Sequence, residues 1–177
     1  MEKFVLLLRA VNVGGRNIIK MQQLKTVFAK AGFLDVKTYI QSGNIVFESK
    51  EANISRVKEQ VSNLLKEHFN YELPIILIPF SYYKNILDLL PQTYLTIETP
   101  RKIYISFLTE SPKKDQIETL YTYNNDNENF EVKEAIVFIW CVKDGTKLNF
   151  SNAFIERILK VSATTRNLNT VKKLTTY

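Results

Sequence analysis

A polar segment after the first apolar run carries the residues best suited to binding an anion. It reads RAVNVGGRNIIKM, residues 9–21. Gly14 and Gly15 permit positive φ and a close approach of the backbone to a ligand. Side chains of the same segment supply charge and amide groups for a phosphate or a carboxylate: Arg9, Asn12, Arg16, Asn17 and Lys20. A plain strand-to-helix connection explains these residues equally well, because asparagines also stabilise turns and double-glycine loops are common.

A second polar segment, TYIQSGN, lies between two apolar runs. Its candidate ligand-binding residues are Tyr39, Gln41, Ser42 and Asn44. If Ser42-Gly43 is a two-residue turn, Ile40 pairs with Ile45. One face then carries an aromatic ring and amides, as in ferredoxin-like modules that stack single-stranded RNA. In a duplicated fold, the other half of the chain can cover that face instead.

A third polar segment, TTRNLNT, lies near the end of the sequence. Thr164 or Thr165 is expected to cap the last helix, which places Arg166 in its first turn. The helix dipole disfavours a cation there by about 0.3–1 kcal/mol. A negative group is therefore expected nearby, either a carboxylate of the protein or a bound anion. The candidates toward this end of the chain are Lys147, Thr165, Arg166 and Asn167.

Hydrophobic periodicity predicts the elements that position these segments. In residues 1–79, strands are expected at 4–10, 36–41, 44–48 and 74–79. Helices are expected from Met21 to Gly32 and from Ile54 onward, the second with Asn53 as its N-cap. The order β-α-β-β-α-β is the ferredoxin-like arrangement.

The same order recurs after a linking segment. A capped helix over 81–90 and a proline-bounded connection make up residues 80–100. Residues 101–177 then read as a strand, a helix with Ser111 as N-cap and Pro112 at N1, a hairpin turning near Glu134, a helix, a closing strand and a short helix. We therefore predict an α+β fold of two ferredoxin-like subdomains. The duplication is inferred from element order alone.

Composition limits the function classes. The 177 residues have a formal charge of +6, with net charges of +5, −3 and +4 over 1–50, 51–150 and 151–177. If the basic ends meet, they attract anions. No apolar run approaches the roughly 20 residues of a membrane span, so a cytoplasmic location without a membrane partner is expected.

The residues that metal, nucleotide and acid–base chemistry need are sparse. With His68 as the lone histidine and Cys141 as the lone cysteine, no metal cluster and no cofactor are expected. His68 is expected to be partly buried and structural, and Cys141 to lie in a buried strand. The two common glycine-rich nucleotide-binding patterns are missing.

Three function classes stay open at this level. The first is binding of a phosphate-containing small molecule or single-stranded nucleic acid where the three polar segments meet. The second is an enzyme of unknown reaction, with Lys20 or Tyr39 as acid or base in a closed pocket. The third is a structural or protein-interaction module, whose polar side chains are saturated by internal hydrogen bonds.

The three segments, together with KAGFLDVKTYIQSGNIVFES and DGTKL, resemble the bacterial domain-of-unknown-function 1697 family over essentially the whole chain. The resemblance implies two ferredoxin-like subdomains in one compact unit and gives no function. Ala10 stands where that family usually has glycine, so flexibility at this position is expected to be dispensable; Leu168 replaces a usual tryptophan. The matching positions are Arg9, Asn12, Gly14, Gly15, Met21, Tyr39, Gln41, Ser42, Gly43, Asn44, Lys147, Thr164, Thr165, Arg166, Asn167, Asn169 and Thr170.

Overall fold

The structure is a computed structural model that describes residues 1–96, 101–142 and 147–177. Internal packing groups residues 1–85 with 173–177 in a first unit and residues 86–172 in a second. The predicted folding domains, 1–79 and 101–177 with 80–100 as the link, stay a prediction. Each unit contains one four-stranded sheet.

The first unit has the predicted β-α-β-β-α-β order. Its four strands pair antiparallel in the order β2-β3-β1-β4, which is the ferredoxin-like sheet and confirms the predicted fold class. The elements are β1 (Glu2–Leu8), α1 (Met21–Lys30), β2 (Leu34–Tyr39), β3 (Asn44–Ser49), α2 (Ile54–Phe69), β4 (Ile75–Pro79) and α3 (Phe80–Asn85).

Helices α1 and α2 share one apolar core with one face of the sheet. The core residues include Phe4, Leu6, Leu24, Phe28, Ile45, Phe47, Val57, Val61 and Leu65. Asn53 caps α2 as predicted, because its Oδ1 accepts hydrogen bonds from the backbone N–H groups of Ser55 at 3.0 Å and Arg56 at 3.2 Å. The opposite face of the sheet is also buried.

The predicted two-residue turn between β2 and β3 is wrong. Tyr39 pairs with Asn44 and Thr38 with Ile45, so the loop spans residues 40–43. Positive φ at both ends of this loop, +48° at Ile40 and +70° at Gly43, produces the longer turn. Gln41 therefore lies in the turn and not on the sheet face beside Tyr39.

The sheet face that carries Tyr39 and Asn44 does not offer a platform for bases. In strand register, Asn44 lies beside Leu7, and Val46 lies beside Val5. Leu7, Val5 and Val46 are each 0% exposed. Stacking of RNA on this face would require a solvent-accessible surface, so that interpretation is not supported.

The second unit repeats the first. A 3-10 helix (Ile86–Leu89) comes before α4 (Gln92–Thr96), and the sheet has the order β6-β7-β5-β8, which matches the first sheet position for position. The remaining elements are β5 (Arg101–Leu108), α5 (Lys114–Tyr121), β6 (Glu128–Lys133), β7 (Ile136–Val142), α6 (Asn152–Leu159), β8 (Ala163–Asn167) and α7 (Leu168–Leu174), of which the residues after 172 are grouped with the first unit.

Two helix predictions in the middle of the chain need correction. The helix expected over 81–90 is α3 followed by a 3-10 turn, and the expected connection holds α4 before residues 97–100, which lie outside the described part. α5 begins after Lys113 and not after Ser111, because the Gln116 side chain accepts the Lys113 backbone N–H at 2.8 Å and fixes the first turn there.

The predicted cap of the last helix is also wrong. Thr164, Thr165 and Arg166 belong to β8, which pairs with β5 as far as Asn167. Asn167 is the cap instead, since its Oδ1 accepts the Thr170 N–H at 2.8 Å. Arg166 is thus not in a helical first turn, and the dipole argument for a nearby anion no longer applies.

The predicted burial of the lone cysteine is confirmed, and that of the lone histidine is wrong. Cys141 is buried in β7, as expected, and burial raises the pKa of its thiol to about 12. His68 is exposed, which corrects the expectation of a partly buried imidazole. The inner face of α2 continues from Leu65 to Phe69, so His68 points away from it.

Candidate functional site

The Gly14-Gly15 loop, defined as residues 9–20, begins with a miniature hairpin. Val13 and Arg16 form a β-bridge, with the Arg16 N–H donating to the Val13 carbonyl at 3.1 Å. Outside them, the Asn12 N–H donates to the Asn17 carbonyl at 3.2 Å. Gly14 and Gly15 form the turn with φ of +58° and +73°. Two successive positive φ values are the signature of a type I′ turn, which explains the glycine pair.

The side chain of Asn12 joins this loop to the β2–β3 turn. Its Nδ2 donates to the carbonyl of Ile19 at 3.0 Å and to that of Gln41 at 2.7 Å. Its Oδ1 accepts the Ile19 N–H at 2.9 Å. The structure therefore brings together two of the three predicted segments, and the Asn12 amide is used in doing so.

The other amides of these two segments also hold the backbone. Asn17 Nδ2 donates to the Ala10 carbonyl at 3.1 Å. Asn44, which is 0% exposed, donates to the Tyr39 carbonyl at 3.0 Å and to the Ser42 hydroxyl at 2.9 Å. Through these hydrogen bonds the amides hold the backbone of the loop and of the β2–β3 turn in position.

The start of the loop is fixed by a buried tyrosine. The Arg9 N–H donates to Tyr71 Oη at 2.9 Å, and the same hydroxyl donates to the Arg9 carbonyl at 2.5 Å. Tyr71 is 3% exposed, so this contact ties the end of β1 to the segment after α2. Arg9 itself is half-buried.

Open space surrounds the glycine pair. A Cβ built on Gly14 or on Gly15 would meet no atom within 4 Å. Close packing of backbone, the alternative reason for two glycines, therefore does not apply. Glycine is favoured at both positions because of the positive φ, and both residues are exposed at the turn of the hairpin.

Ala10 adopts a φ of +53°, in the left-handed region that glycine adopts without a steric penalty. The left-handed region costs an L-residue about 1–2 kcal/mol, partly offset by the extra freedom glycine has in the unfolded chain. We expect Ala10→Gly to raise the free energy of unfolding by about 0.5–1 kcal/mol, measured by urea denaturation. Ala29→Gly, at an exposed position inside α1, should lower it by a similar amount.

Cations dominate the loop and the helix after it. Residues 3–34 contain six Lys and Arg residues and no Asp or Glu. The members on the loop and α1 that are exposed are Arg16, Lys20, Lys25 and Lys30. Within the described parts of the chain, Arg16 and Lys20 have no ion pair. The loop thus presents uncompensated positive charge to solvent.

The third predicted segment belongs to the other unit. Arg166 is 8% exposed, and its Nη1 donates to the Thr164 hydroxyl and to the Thr165 carbonyl, both at 2.9 Å. The Thr165 hydroxyl bonds Asn152 Oδ1 at 2.7 Å. Lys147 is exposed, and the DGT before it lies outside the described residues. Convergence of all three segments stays a prediction.

Few features of the described residues match an enzyme with acid–base catalysis or a metal site. Lys20 is exposed, whereas an acid–base role would place it in a closed pocket. Over residues 1–96, 101–142 and 147–177, no group of three potential metal ligands occurs. In the same residues, no helix is both long and apolar enough to cross a bilayer.

Two structural features of these loops have no clear sequence signal. Ile40 is 51% exposed and lies in the left-handed region, although it belongs to the strand predicted over 36–41. Tyr71 anchors Arg9 from 62 positions away, and no local pattern links them. For the β2–β3 turn, the only sequence signal is the glycine of the TYIQSGN segment.

Comparison with known proteins places the chain in context. Residues 1–138 match the family model described as a protein of unknown function, DUF1697. The conserved bacterial protein SP0830 from Streptococcus pneumoniae is similar in structure, with a TM-score of 0.77 at 25% identity over 99% of this chain and 97% of that one. No curated protein matches the chain.

Proposed function

Because this chain belongs to the DUF1697 family, for which no function is described, we propose its function from the loop geometry: it binds phosphate groups of an anionic ligand on the Gly14-Gly15 loop. The observation that carries the proposal is that Arg16 and Lys20, on a loop fixed by internal hydrogen bonds, form no ion pair with any residue that the structure describes. A fixed loop loses little conformational entropy when a ligand binds.

Electrostatics favours an anion at this loop over a cation or a neutral ligand. The exposed cations of the loop and α1, which are Arg16, Lys20, Lys25 and Lys30, produce a positive potential that concentrates anions and speeds their association. The tip adds backbone donors, since exposed N–H groups in a turn conformation contribute fixed partial positive charge. The polar contacts needed for phosphate are therefore Arg16, Lys20 and the glycine backbone.

Because the asparagine side chains form hydrogen bonds within the protein, fewer residues are proposed to contact the ligand. Asn12, Asn44 and Asn17 hold the loop and the β2–β3 turn in place and have no role at the ligand in this proposal. That saturation is also what a purely structural module predicts. The two functions differ only in whether Arg16 and Lys20 contact something outside the protein.

Charge removal at the loop tests the proposal. We expect the double variant Arg16→Gln/Lys20→Gln to bind a fluorescent single-stranded oligonucleotide, used as a phosphate probe, about 10- to 30-fold more weakly, since each phosphate contact contributes roughly 1 kcal/mol. Fluorescence anisotropy across a salt series gives the affinities. The variant neutralises fewer phosphates and releases fewer counterions, so its affinity should also depend less steeply on salt concentration.

The matched control removes the same charge elsewhere in the first unit. Lys50 and Lys58 are exposed and lie outside residues 3–34. Lys50→Gln/Lys58→Gln should keep most of the affinity. Equal loss in both double variants would mean that net charge alone drives binding and would reject a site at this loop.

A further inference from the structure

Three aliphatic side chains protrude where the Gly14-Gly15 loop meets the β2–β3 turn. Val13 is 63% exposed, Ile18 is 72% exposed and Ile40 is 51% exposed. Asn12 Nδ2 bonds the carbonyls of Ile19 and Gln41, the residues that follow Ile18 and Ile40, so the two loops lie side by side. We call this set the aliphatic tip.

Ile40 is unfavourable in this place for two independent reasons. Its φ of +48° is a conformation that β-branched residues avoid. Its side chain is also half exposed, so burial within the first unit gives little compensation. Glycine or asparagine would fit the turn better. Backbone strain of this kind, found at an exposed apolar side chain, points to a contact outside the chain.

We infer that the aliphatic tip docks on an anionic lipid bilayer, an inference that rests on the proposed function and identifies its phosphate groups as lipid headgroups. In this arrangement Arg16 and Lys20 contact the headgroups, while Val13, Ile18 and Ile40 enter the boundary between headgroups and acyl chains. Interfacial binding of this type combines buried apolar area with attraction to anionic lipid. The proposed binding is peripheral. The inference replaces the expectation, made from the sequence, that the protein has no membrane partner.

The shape and chemistry of the tip favour a bilayer over other anionic partners. Single-stranded nucleic acid is held by aromatic rings that stack on bases, and the protruding side chains here are aliphatic. A protein partner requires about 800 Å² of complementary surface on each side. The tip consists instead of three exposed aliphatic side chains, and a Cβ built on Gly14 or Gly15 would meet no atom within 4 Å outside the adjacent residues. A bilayer needs no shape complementarity and accepts such a surface.

Vesicle cosedimentation of the full chain tests the inference. The vesicles are phosphatidylcholine alone and an equal mixture of phosphatidylcholine and phosphatidylglycerol. We expect binding to the mixture only, with a loss of about tenfold or more for Arg16→Gln/Lys20→Gln and also for Val13→Ser/Ile18→Ser. Ile40→Asn should weaken binding while its melting temperature stays equal or rises, because asparagine tolerates positive φ.

Each alternative outcome has a distinct meaning. Equal binding of the anionic vesicles by the aliphatic variants and the unmodified protein would overturn docking by the tip. Binding of the oligonucleotide probe without binding of anionic vesicles would overturn the lipid assignment and leave the proposed function standing. Binding of neither probe would overturn both.

Discussion

Replacing Gly43 with alanine is expected to lower the free energy of unfolding by about 3 kcal/mol. Gly43 has a φ of +70°, which costs an L-residue about 1–2 kcal/mol. An added Cβ would also lie 2.7 Å from the Cβ of Leu8, in the middle of a 0–1% exposed core. Relief of that overlap requires a backbone shift, and overpacking of this kind costs a further 1–3 kcal/mol or so.

The shift in Gly43→Ala would not stay local. The Leu8 N–H donates to the Gly43 carbonyl at 2.8 Å, at the point where β1 ends and the Gly14-Gly15 loop begins. Movement of Gly43 away from Leu8 therefore strains this bond and the neighbouring contact between Asn12 and Gln41. Chemical denaturation measures the loss of stability.

Gly14→Ala separates the two contributions. Gly14 has a similar φ of +58°, but a Cβ there meets nothing within 4 Å. This variant should lose only the conformational part, about 1–2 kcal/mol. If Gly43→Ala costs no more than Gly14→Ala, the contact with Leu8 carries no energy and the explanation is wrong.

The sequence predicted the elements better than the details of their ends. The apolar runs of β1, β3 and β7 and the stripes of α1, α2 and α6 have one dominant period each, so their identity follows from burial. The resulting order was enough to predict two ferredoxin-like sheets. Local sequence preference was enough to identify these elements because the tertiary packing favours the same conformation.

The errors lie where a positive φ or a distant partner decides the conformation. No sequence rule predicts positive φ at Ile40, and without it the β2–β3 turn reads as two residues instead of four. Thr164 and Thr165 are good caps, yet pairing with β5 draws them into a strand. For the two threonines, a contact with another strand overrides the local preference.

The sequence predicted only part of the candidate site, because contacts between distant residues determine the rest. Glycines and cations on the loop are visible in the sequence, and their exposure follows from the turn they form. That the asparagines are spent on the backbone is not visible, because Asn12 bonds Gln41 across 29 positions. The exposure of the three aliphatic residues was not visible either, since Val and Ile are residue types that are usually buried.

Replacing Glu128 with alanine is the second change with a large expected effect. Glu128 is 1% exposed, and its carboxylate accepts three hydrogen bonds. The donors are the Asn149 N–H at 2.9 Å, the Asn149 Nδ2 at 2.5 Å and the Phe150 N–H at 3.0 Å. These bonds fix the segment before α6, where Ser151 Oγ caps the helix by accepting the Phe154 N–H at 3.1 Å.

Glu128→Ala would leave those donors without an acceptor and open a space in β6. Each unsatisfied group costs roughly 1–3 kcal/mol, so we expect the free energy of unfolding to fall by about 3 kcal/mol. Glu128→Gln keeps the volume and one acceptor oxygen but turns an N–H group toward other N–H groups. Its loss should be about half as large, and urea denaturation measures both.

Glu131 on the same strand is the matched control for the carboxylate at Glu128. It pairs with Lys133 at 3.3 Å, and both side chains are more than one-third exposed. Exposed ion pairs contribute about 0–1 kcal/mol, so Glu131→Ala should change stability by less than about 1 kcal/mol. Equal losses at the two positions would show that a strand glutamate matters there irrespective of its hydrogen bonds. A large gap would identify Glu128 as the residue that anchors the start of α6 to the second sheet.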